Sequence, residues 1–464
     1  MPTDAKTGLF GTLPEQMAAA RPVGVPRLRQ AERRQVSLPP ISLEDLLPPD
    51  HRARFVWAFA ERLDLTALYR AIKAVEGHPG HPPADPRILL ALWLYATVEG
   101  VGSARELDRL CREHIGFEWL CGGVGMNHTT LAEFRVAHGT VLERLLVDSF
   151  AAMVKTGHAS LERVAQDGMR VRAAAGAASF RRPASLERCR AAVAAEVARL
   201  RADLEADPGA LSRRQAAARQ RAAVDRERRV EAALAVAGQL AAKRQAERRL
   251  QDQDPPKAEG DEGEAAAKPP PEPRVSTTDA EARVMKMPDG GFRPAFNLGF
   301  ASDPRSTMIA AVTLDNTGSD KGQLRPMSDR LAEVYGQRPG EHLVDGGFTK
   351  LADIEALAAA GVAVFAPVPK PRDAARDPHA PRQGDGPGVA AWRQRMGGEA
   401  AKVVYKERAA TAECVNAQCR NRGLLRFLVR GIEKAQTVGL WHALAHNMIC
   451  TGRLLATRPG GRNA

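Results

Sequence analysis

Three acidic residues lie where a folded chain can hold a metal ion. Asp167 follows a predicted strand and Asp345 ends another, and a glycine comes directly after each of them. Glu413 lies in a predicted helix near the C-terminus. Ligands collect where the strands of an open α/β sheet end, and glycine lets a substrate approach the backbone closely. Carboxylate oxygens suit Mg²⁺ or Mn²⁺, and two such ions can stabilise the attacking and leaving oxygens of a phosphodiester displacement.

Basic residues flank Glu413. Arg408 lies five residues before it, and Arg420 lies seven residues after it, two helical turns on and so on the same face. Arginine holds phosphate through forked, charge-assisted hydrogen bonds, and Tyr405 is able to stack on a base or bond a phosphate oxygen. A solvated helix in which Glu413 makes an ordinary surface ion pair is the alternative. Asp-Gly pairs at strand ends are also common in simple turns.

Five other side chains invite a similar question. Three are acids on the same predicted sheet, Asp303, Asp315 and Asp320, for which turn or capping roles are expected. The other two, His446 and Cys450, lie four residues apart on a helix, which is a metal-ligand spacing. No second pair accompanies them, so core packing is the expectation.

The composition favours a polyanionic partner. The chain has 464 residues, a net charge of +12 and 44% hydrophobic residues, enough for two to four domains and a sizeable core. The positive balance suits nucleic acid or anionic lipid, with a basic protein that binds neither as the alternative. The six cysteines form no CxxC pair, which favours a reducing cytoplasm over a zinc ribbon or disulfide framework. Neither a secretory signal nor a membrane span of roughly 20 apolar residues is predicted.

Helical periodicity dominates the first part of the chain. Residues 1–50 are predicted to be a flexible tail, and residues 51–156 a compact all-helical domain. Near its end, "HTTLAEFRVAH" puts Thr129, Thr130 and Arg135 close to a helix start, as in a helix-turn-helix that presents phosphate and base contacts. A plain helical bundle fits the same pattern.

The remainder alternates strands and helices, which predicts a mixed α/β sheet with flanking helices. An Ala-, Arg- and Glu-rich stretch interrupts it and predicts a helical hairpin or short coiled coil with a break at the "DPG" that begins at Asp207. The predicted boundaries are 157–183 and 274–452 for the α/β core, 184–252 for the helical insertion, 253–273 for a disordered acidic, Pro-rich linker, and 453–464 for a C-terminal tail.

Several motifs occur together in this chain. Tyr405, Arg408, Glu413 and Arg420 follow the spacing Y-(2)-R-(3 or 4)-E-(6)-K/R, with four residues between Arg and Glu. "AQDGMRVRA" contains the first aspartate, and "LVDGGFTKLADIEALAAAGV" contains the second, with Phe348 where Tyr is usual. "EARVMKMPDGGFRPAFN" precedes a predicted strand. In these motifs, over about residues 45 to 452, the chain resembles the DDE transposases of bacterial insertion sequences.

The resemblance implies an RNase H-like catalytic core. Asp167, Asp345 and Glu413 would form the catalytic and metal-binding triad with two Mg²⁺ or Mn²⁺ ions. DNA would be cut at the ends of the element, and the freed 3′-hydroxyl would attack target DNA without a covalent protein intermediate. The side chains implied or predicted to contact DNA are Tyr405, Arg408, Arg420, Thr129, Thr130 and Arg135.

The implied partners are double-stranded DNA, at the terminal inverted repeats and at the target, and further copies of the chain in a synaptic complex, as a homodimer or larger. A cytoplasmic, nucleoid-associated bacterial location follows, with no membrane partner. Three other functions stay open: an RNase H-like nuclease without strand transfer, a catalytically inactive DNA-binding regulator descended from a transposase, and a coiled-coil assembly protein.

Overall fold

The described residues between 52 and 155 form helices and short connections. The structure is a computed structural model that describes residues 42–74, 82–206, 213–253, 272–371 and 376–456. The first helices are α1 (Arg52–Glu61), α2 (Thr66–Arg70), α3 (Pro86–Val98), α4 (Ala104–Glu113), α5 (Ile115–Cys121), α6 (His128–Ala137) and α7 (Gly139–Lys155). Of the predicted N-terminal tail, residues 1–41 lie outside the described part of the chain.

Helix α3 shows why this region folds as it does. Asp85 caps its first turn by accepting a hydrogen bond from the Arg87 amide at 2.7 Å, and Pro86 takes the first helical position, where its missing amide costs nothing. The body of the helix is buried all round, as its near-continuous apolar sequence predicts. Its Trp93 packs 6.4 Å, centroid to centroid, from Trp441 near the other end of the chain. The N-terminal helices therefore share their core with the C-terminal part.

A mixed sheet forms the centre of the α/β part. Its strands are β1 (Arg163–Arg172), then, after two short strands β2 (Phe180–Arg181) and β3 (Val275–Ser276) that pair only with each other, β4 (Arg283–Lys286), β5 (Phe292–Ser302), β6 (Ile309–Asp315), β7 (Glu341–Leu343) and β8 (Ala363–Phe365). Strand β1 is central, with β5 antiparallel on one side and β7 parallel on the other. Strand β8 extends the parallel side, whereas β4 and β6 both pair with β5. The predicted mixed α/β class is confirmed.

Helices flank this sheet. They are α10 (Leu324–Tyr335), α11 (Leu351–Ala359), α12 (Pro387–Gly397), α13 (Glu399–Asn421) and α14 (Ile432–Ala456), numbered after the two helices of the insertion. The sequence over about 369–398 is rich in Pro, Gly and Arg, which predicts a loop, but helix α12 lies within it. Pro387 starts the helix, and Val389, Trp392 and Met396 are buried at helical spacing against the sheet core. Pro and Gly in this stretch are typical of loops, but the apolar residues at helical spacing determine the local structure.

The interrupting segment forms two long helices, α8 (Pro183–Ala206) and α9 (Arg213–Gln253). They pack antiparallel, because Leu186 contacts the part of α9 around Ala233 while Val193 lies against Ala223. The predicted break at Asp207, most of the predicted linker 253–273 and the end of the predicted tail 453–464 lie outside the described residues. Helix α14 continues to Ala456, into the segment predicted as tail. Among the helices that the structure describes, none has the length and apolar character needed to cross a membrane.

Candidate active site

Strand register brings two of the predicted acids together. Strands β1 and β7 run parallel, with Arg163 level with Glu341 and Ala165 level with Leu343. The same register carried two residues further puts Asp167 level with Asp345. Side chains level with each other on adjacent parallel strands point to the same face of the sheet. The two carboxylates therefore face one space, with Asp167 17% exposed and Asp345 39% exposed.

Arg408 joins these two carboxylates. Its Nη2 donates a hydrogen bond to Asp167 Oδ1 at 3.2 Å and lies 3.6 Å from Asp345 Oδ2. The side chain of Arg408 is only 11% exposed, and its Nε has no hydrogen-bond partner among the described residues. The guanidinium of Arg408 thus lies between Asp167 on β1 and Asp345 just after β7, where it reduces the repulsion between the two carboxylates.

Helix α13 crosses the sheet at this point and is fixed there by two further contacts. Asn416 Nδ2 donates to Asp167 Oδ2 at 2.9 Å. Arg163, at the start of β1, donates to both carboxylate oxygens of Glu407 at 2.9 and 2.8 Å. Sequence inspection did not identify Asn416, although its position two turns after Arg408 placed it near the same helix face.

Glu413 lies beside this contact face but does not touch it. It is exposed, and its side chain makes no hydrogen bond or ion pair with any residue that the structure describes. It precedes Asn416 by three residues, and side chains at that spacing are neighbours on a helix. The third predicted acid is therefore one helical turn from the residue that holds Asp167, with a side chain that is not tied to a partner.

Burial raises the pKa of Asp167 above its ordinary range. Arg408 opposes that rise, whereas the negative charges of Asp345 and Asp320 add to it, and the hydrogen bond from the Gly168 amide opposes it. The net rise means that the ionised carboxylate is less stable here than in water. An added positive charge beside Asp167 would stabilise the ionised carboxylate and lower its pKa.

Tyr405 and Arg420, the other two residues of the Y-(2)-R-(3 or 4)-E-(6)-K/R spacing, differ in their surroundings. Tyr405 is half-buried against the core on the parallel side of the sheet, and burial raises its pKa, while Arg408 acts in the opposite direction. Arg420 is partly exposed near the end of α13, with no side-chain partner among the described residues. Arg420 is therefore available for a ligand, whereas the ring of Tyr405 is largely occupied by packing.

The donor set fits a hard divalent cation. Carboxylate and amide oxygens are the ligands that Mg²⁺ and Mn²⁺ prefer. Beside the carboxylates of Asp167 and Asp345, Asn416 Oδ1 is buried and has no hydrogen-bond partner among the described residues. As the side chains stand, no three His, Cys, Asp or Glu groups converge into a metal-holding cluster within the described ranges. The guanidinium of Arg408 occupies the space between the acids, and Glu413 faces solvent.

Helix α6 places the other predicted DNA contacts. Asn127 caps it by accepting hydrogen bonds from the amides of Thr129 at 3.0 Å and Thr130 at 2.9 Å. Thr129 is exposed and Thr130 is half-buried, so both can be reached from solvent. Arg135 is different, since it is 9% exposed, donates to the Gly102 carbonyl and lies 5.0 Å from the centre of the Trp93 ring. This burial indicates a role for Arg135 in core packing and leaves little of its side chain exposed for a DNA contact.

Comparison with known proteins gives one finding. Residues 41–137 match the family model described as Transposase domain (DUF772). The match covers α1 to α6, including Thr129, Thr130 and Arg135, and ends before the strands that carry Asp167 and Asp345. No curated protein and no solved structure matches the chain. The match therefore describes the helical segment 41–137 as a transposase domain and does not extend to the sheet.

Proposed function

We propose that this chain is a DDE transposase that cuts DNA at the ends of an insertion sequence and transfers the freed strand into target DNA. One arrangement carries the proposal. Asp345 follows the end of β7 by two residues, where the register brings it level with Asp167 on β1, and α13 contacts Asp167 through Arg408 and Asn416. The helix that bears Tyr405, Arg408, Glu413 and Arg420 thus contacts Asp167 directly and brings Arg408 within 3.6 Å of Asp345. The transposase-domain match lies in a separate part of the chain and supports the same conclusion.

The mixed sheet supports the RNase H-like core that the resemblance implies. Asp167, Asp345 and Glu413 would hold two Mg²⁺ or Mn²⁺ ions. When bound, such ions stabilise both the attacking and the leaving oxygen of an in-line phosphodiester displacement. Asp345 is the more exposed of the two aspartates, so DNA would approach from its side.

The chain's own residues position the acids and the phosphate. Arg408 keeps Asp167 and Asp345 together and has a forked head that is also suited to a phosphate. Asn416 fixes one oxygen of Asp167, which limits rotation of that carboxylate. Glu413, which has no partner among the described side chains, is free to turn toward the acids. Arg420 adds a phosphate contact near the end of the same helix.

The N-terminal helices would recognise the terminal inverted repeats. Thr129 and Thr130 lie at the capped start of α6, where backbone and hydroxyl groups can meet phosphates. The net charge of +12 supports binding to both end and target DNA. We propose that a homodimer or larger assembly joins the two ends, and that the protein acts in the bacterial cytoplasm at the nucleoid.

A cleavage assay tests the proposal. Purified protein is incubated with labelled DNA that carries the sequences flanking its gene, with Mg²⁺ or with EDTA. Mg²⁺-dependent nicks at discrete positions are expected from the wild type and are expected to disappear in Glu413→Gln. Glu399→Gln is the matched control, because Glu399 is an exposed acid at the start of the same helix whose partner is Lys402. It should cut like the wild type.

Other results point elsewhere. Salt-dependent binding of the ends without cleavage indicates a DNA-binding regulator. Cleavage without joining to target DNA indicates a nuclease. Equal cleavage by the wild type and Glu413→Gln shows that the third carboxylate has been misassigned.

A further inference from the structure

Four arginines line one groove at the base of the α8–α9 hairpin. The groove has a volume of about 350 Å³ and opens where the β2–β3 pair meets the start of α8. Glu272 is the one acid among the described residues that line it. The arginines, all exposed, are Arg181 on β2, Arg182 directly before α8, Arg188 in α8 and Arg274 directly before β3. The groove therefore concentrates positive charge on a small surface.

Two distant segments of the chain bring these arginines together. Arg181 pairs with Val275 in the antiparallel β2–β3 ladder, so Arg182 and Arg274, the next residue on each strand, lie at the same end of that pair. On α8, Leu186 packs against α9. Arg188 comes two residues later, about 200° round the helix, and so points away from α9.

The groove arginines differ from the other arginines of the hairpin in having no partner. None of their four guanidinium groups makes a hydrogen bond or ion pair with a residue that the structure describes. The first turn of α8 also carries no acid, although the start of a helix favours negative charge. Four further arginines of the hairpin are each paired with an acid: Arg190 with Glu187, Arg199 with Asp203, Arg226 with Glu196 and Arg229 with Asp225. Clustered cations without acids repel one another until an anion meets them.

The end of α9 adds positive charge on the same side of the hairpin. Because Leu186, near the start of α8, packs against the part of α9 around Ala233 and Ala237, the rest of α9 extends past the start of α8. The exposed charged side chains of that extension are Lys243, Glu247, Arg248 and Arg249. A ligand that fills the groove can therefore meet further cations along α9.

The surface of the hairpin suits a nucleic-acid duplex better than a second copy of itself. None of the exposed large apolar side chains that the structure describes lies on α8 or α9, so two hairpins would bury little apolar area between them. Helix α9 carries eleven basic and five acidic residues and would repel its own copy. A duplex offers phosphates at regular spacing, which complement an extended set of cations.

We propose that the groove formed by Arg181, Arg182, Arg188 and Arg274 binds the phosphate backbone of duplex DNA. None of the proposed catalytic acids lines this groove. The inference rests on the proposed action on DNA and gives the inserted hairpin a role in holding the duplex. The forked guanidinium group of arginine matches phosphate oxygens, and contacts to phosphate position a duplex without reading its sequence.

Duplex binding by the full chain in EDTA tests the inference without cleavage. Fluorescence anisotropy over a range of salt concentrations compares the wild type with a groove variant in which all four arginines are replaced by glutamine. Each arginine that contacts a phosphate adds about 0.9 to the slope of log K against log salt, so the slope should fall by about 2 to 4 in the variant. Affinity should fall by roughly 10-fold or more, and equally for the end duplex and an unrelated duplex.

A control variant removes the same amount of charge from the same hairpin. Glutamine replaces the paired arginines Arg190, Arg199, Arg226 and Arg229, and the slope should change by less than about 1. Lysine at all four groove positions keeps the charge and loses the forked geometry, so it should retain most of the slope and only part of the affinity. Because the substituted side chains of the groove are exposed, urea unfolding of the groove variant should match that of the wild type.

Several results would overturn the inference. Equal duplex binding by the wild type and the groove variant does so and leaves the proposed function standing, and equal losses in the groove and control variants show that net charge alone is responsible. A groove variant that loses binding of inorganic phosphate, followed by calorimetric titration, but keeps its duplex binding has lost a site for a free anion. A wild type that binds no duplex overturns the inference as well. Weaker duplex binding in the groove variant alone supports the inference even if the wild type makes no Mg²⁺-dependent nicks, a result that would count against the proposed function only.

Discussion

Two buried arginines show how differently the two regions of this protein use positive charge. Arg135, on α6, lies against the Trp93 ring and donates to a backbone carbonyl. Arg408, on α13, lies between the carboxylates of Asp167 and Asp345. Both side chains were predicted to contact DNA. The neutral partners of Arg135 form part of a core, whereas the charged partners of Arg408 form an assembly that packing alone does not require.

The contrast extends to the groups around each arginine. Around Arg135, Trp93 and Trp441 find backbone carbonyl partners at 3.0 and 2.9 Å, so the aromatic donors there are satisfied. Each arginine has an Nε without a hydrogen-bond partner among the described residues, but beside Arg408 the buried Oδ1 of Asn416 is unpartnered as well. Unsatisfied polar atoms beside crowded acids lower stability, and such sites persist where function needs them. The difference indicates a structural role for Arg135 and motivates the functional role proposed for Arg408.

Removing an acid from the sheet should have the largest effect. We expect Asp345→Asn to lower Mg²⁺-dependent cleavage by roughly 10³-fold or more, since it removes a group that acts with its neighbours as a unit. DNA affinity should hold or rise, because one negative charge is lost. Cleavage rates and filter binding at fixed salt measure the two effects. The same substitution in the helical region, Asp64→Asn, removes an exposed acid paired with Arg144 and should leave cleavage unchanged. A similar loss in both variants would break the comparison.

The two arginines should separate in stability measurements. Arg135→Ala leaves a cavity beside Trp93 and strips the Gly102 carbonyl of its donor, so we expect a loss of about 2–4 kcal/mol in the free energy of unfolding. Arg408→Ala leaves two acids uncompensated and should lose about 1–3 kcal/mol in EDTA. Urea unfolding, with EDTA and with Mn²⁺, gives both values.

Adding Mn²⁺ should distinguish Arg408→Ala from Arg135→Ala. It should restore more stability to Arg408→Ala than it adds to the wild type, since a divalent cation can replace the missing charge. It should not change the deficit of Arg135→Ala relative to the wild type. If Mn²⁺ rescued neither variant, Arg408 would be as structural as Arg135.

The sequence patterns identified the acids of the candidate site but not the residues that surround them. Asp167 and Asp345 were found because they lie at or near predicted strand ends, a local signal. Their level positions follow from the pairing of β1 with β7, which joins segments about 180 residues apart and leaves no local trace. Arg135 was placed on a surface because burial depends on packing against Trp93 from another helix. Asp320 was expected to fill a turn or capping role, and its contact with Asn297 on β5 joins residues 23 apart that share no local sequence signal.

Element types were easier to predict than their limits. The buried helix α3 and the helices of the insertion had clear periodicity, which is set within the segment itself. Strand β7 ends at Leu343, two residues before Asp345, because Asp345 instead caps a short 3₁₀ helix by accepting a hydrogen bond from the Gly347 amide at 2.8 Å. Side-chain capping of this kind competes with strand pairing.

Two buried histidines extend the comparison to pH dependence. His342, on β7 in the site's sheet, is fully buried with both ring nitrogens unpartnered among the described residues, and burial lowers its pKa to about 3. A histidine whose folded pKa lies below its unfolded value contributes its full stability above about pH 6.5 and loses it as the pH falls toward the folded pKa. Between pH 7 and pH 5, we expect the free energy of unfolding to fall by about 2 kcal/mol less in His342→Leu than in the wild type.

His446 is a second buried histidine, and burial lowers its pKa to about 4, so it differs from His342 in its hydrogen bonding rather than in its expected pH dependence. It is buried on α14, but its Nε2 lies 2.8 Å from the Thr307 carbonyl oxygen, so it has a partner. His446→Leu should therefore destabilise the protein at pH 7, whereas His342→Leu should be neutral or stabilising there. Urea unfolding at pH 7 and pH 5 measures all three proteins. Equal effects of the two substitutions at pH 7 would show that unpaired groups are no special feature of the site's sheet.

The smallest expected effect on stability comes from the start of α6. Thr129 offers an exposed hydroxyl while its amide is satisfied by Asn127, so Thr129→Ala should change the free energy of unfolding by less than about 0.5 kcal/mol. Asn127→Ala removes the cap itself and should cost about 1 kcal/mol. If Thr129 contacts a phosphate, its substitution should weaken end-DNA binding without changing Mn²⁺ affinity. The opposite result is intact DNA binding in Thr129→Ala and weaker binding only in Asn127→Ala, where the helix is destabilised. That result would show that α6 has a structural role alone, as Arg135 has.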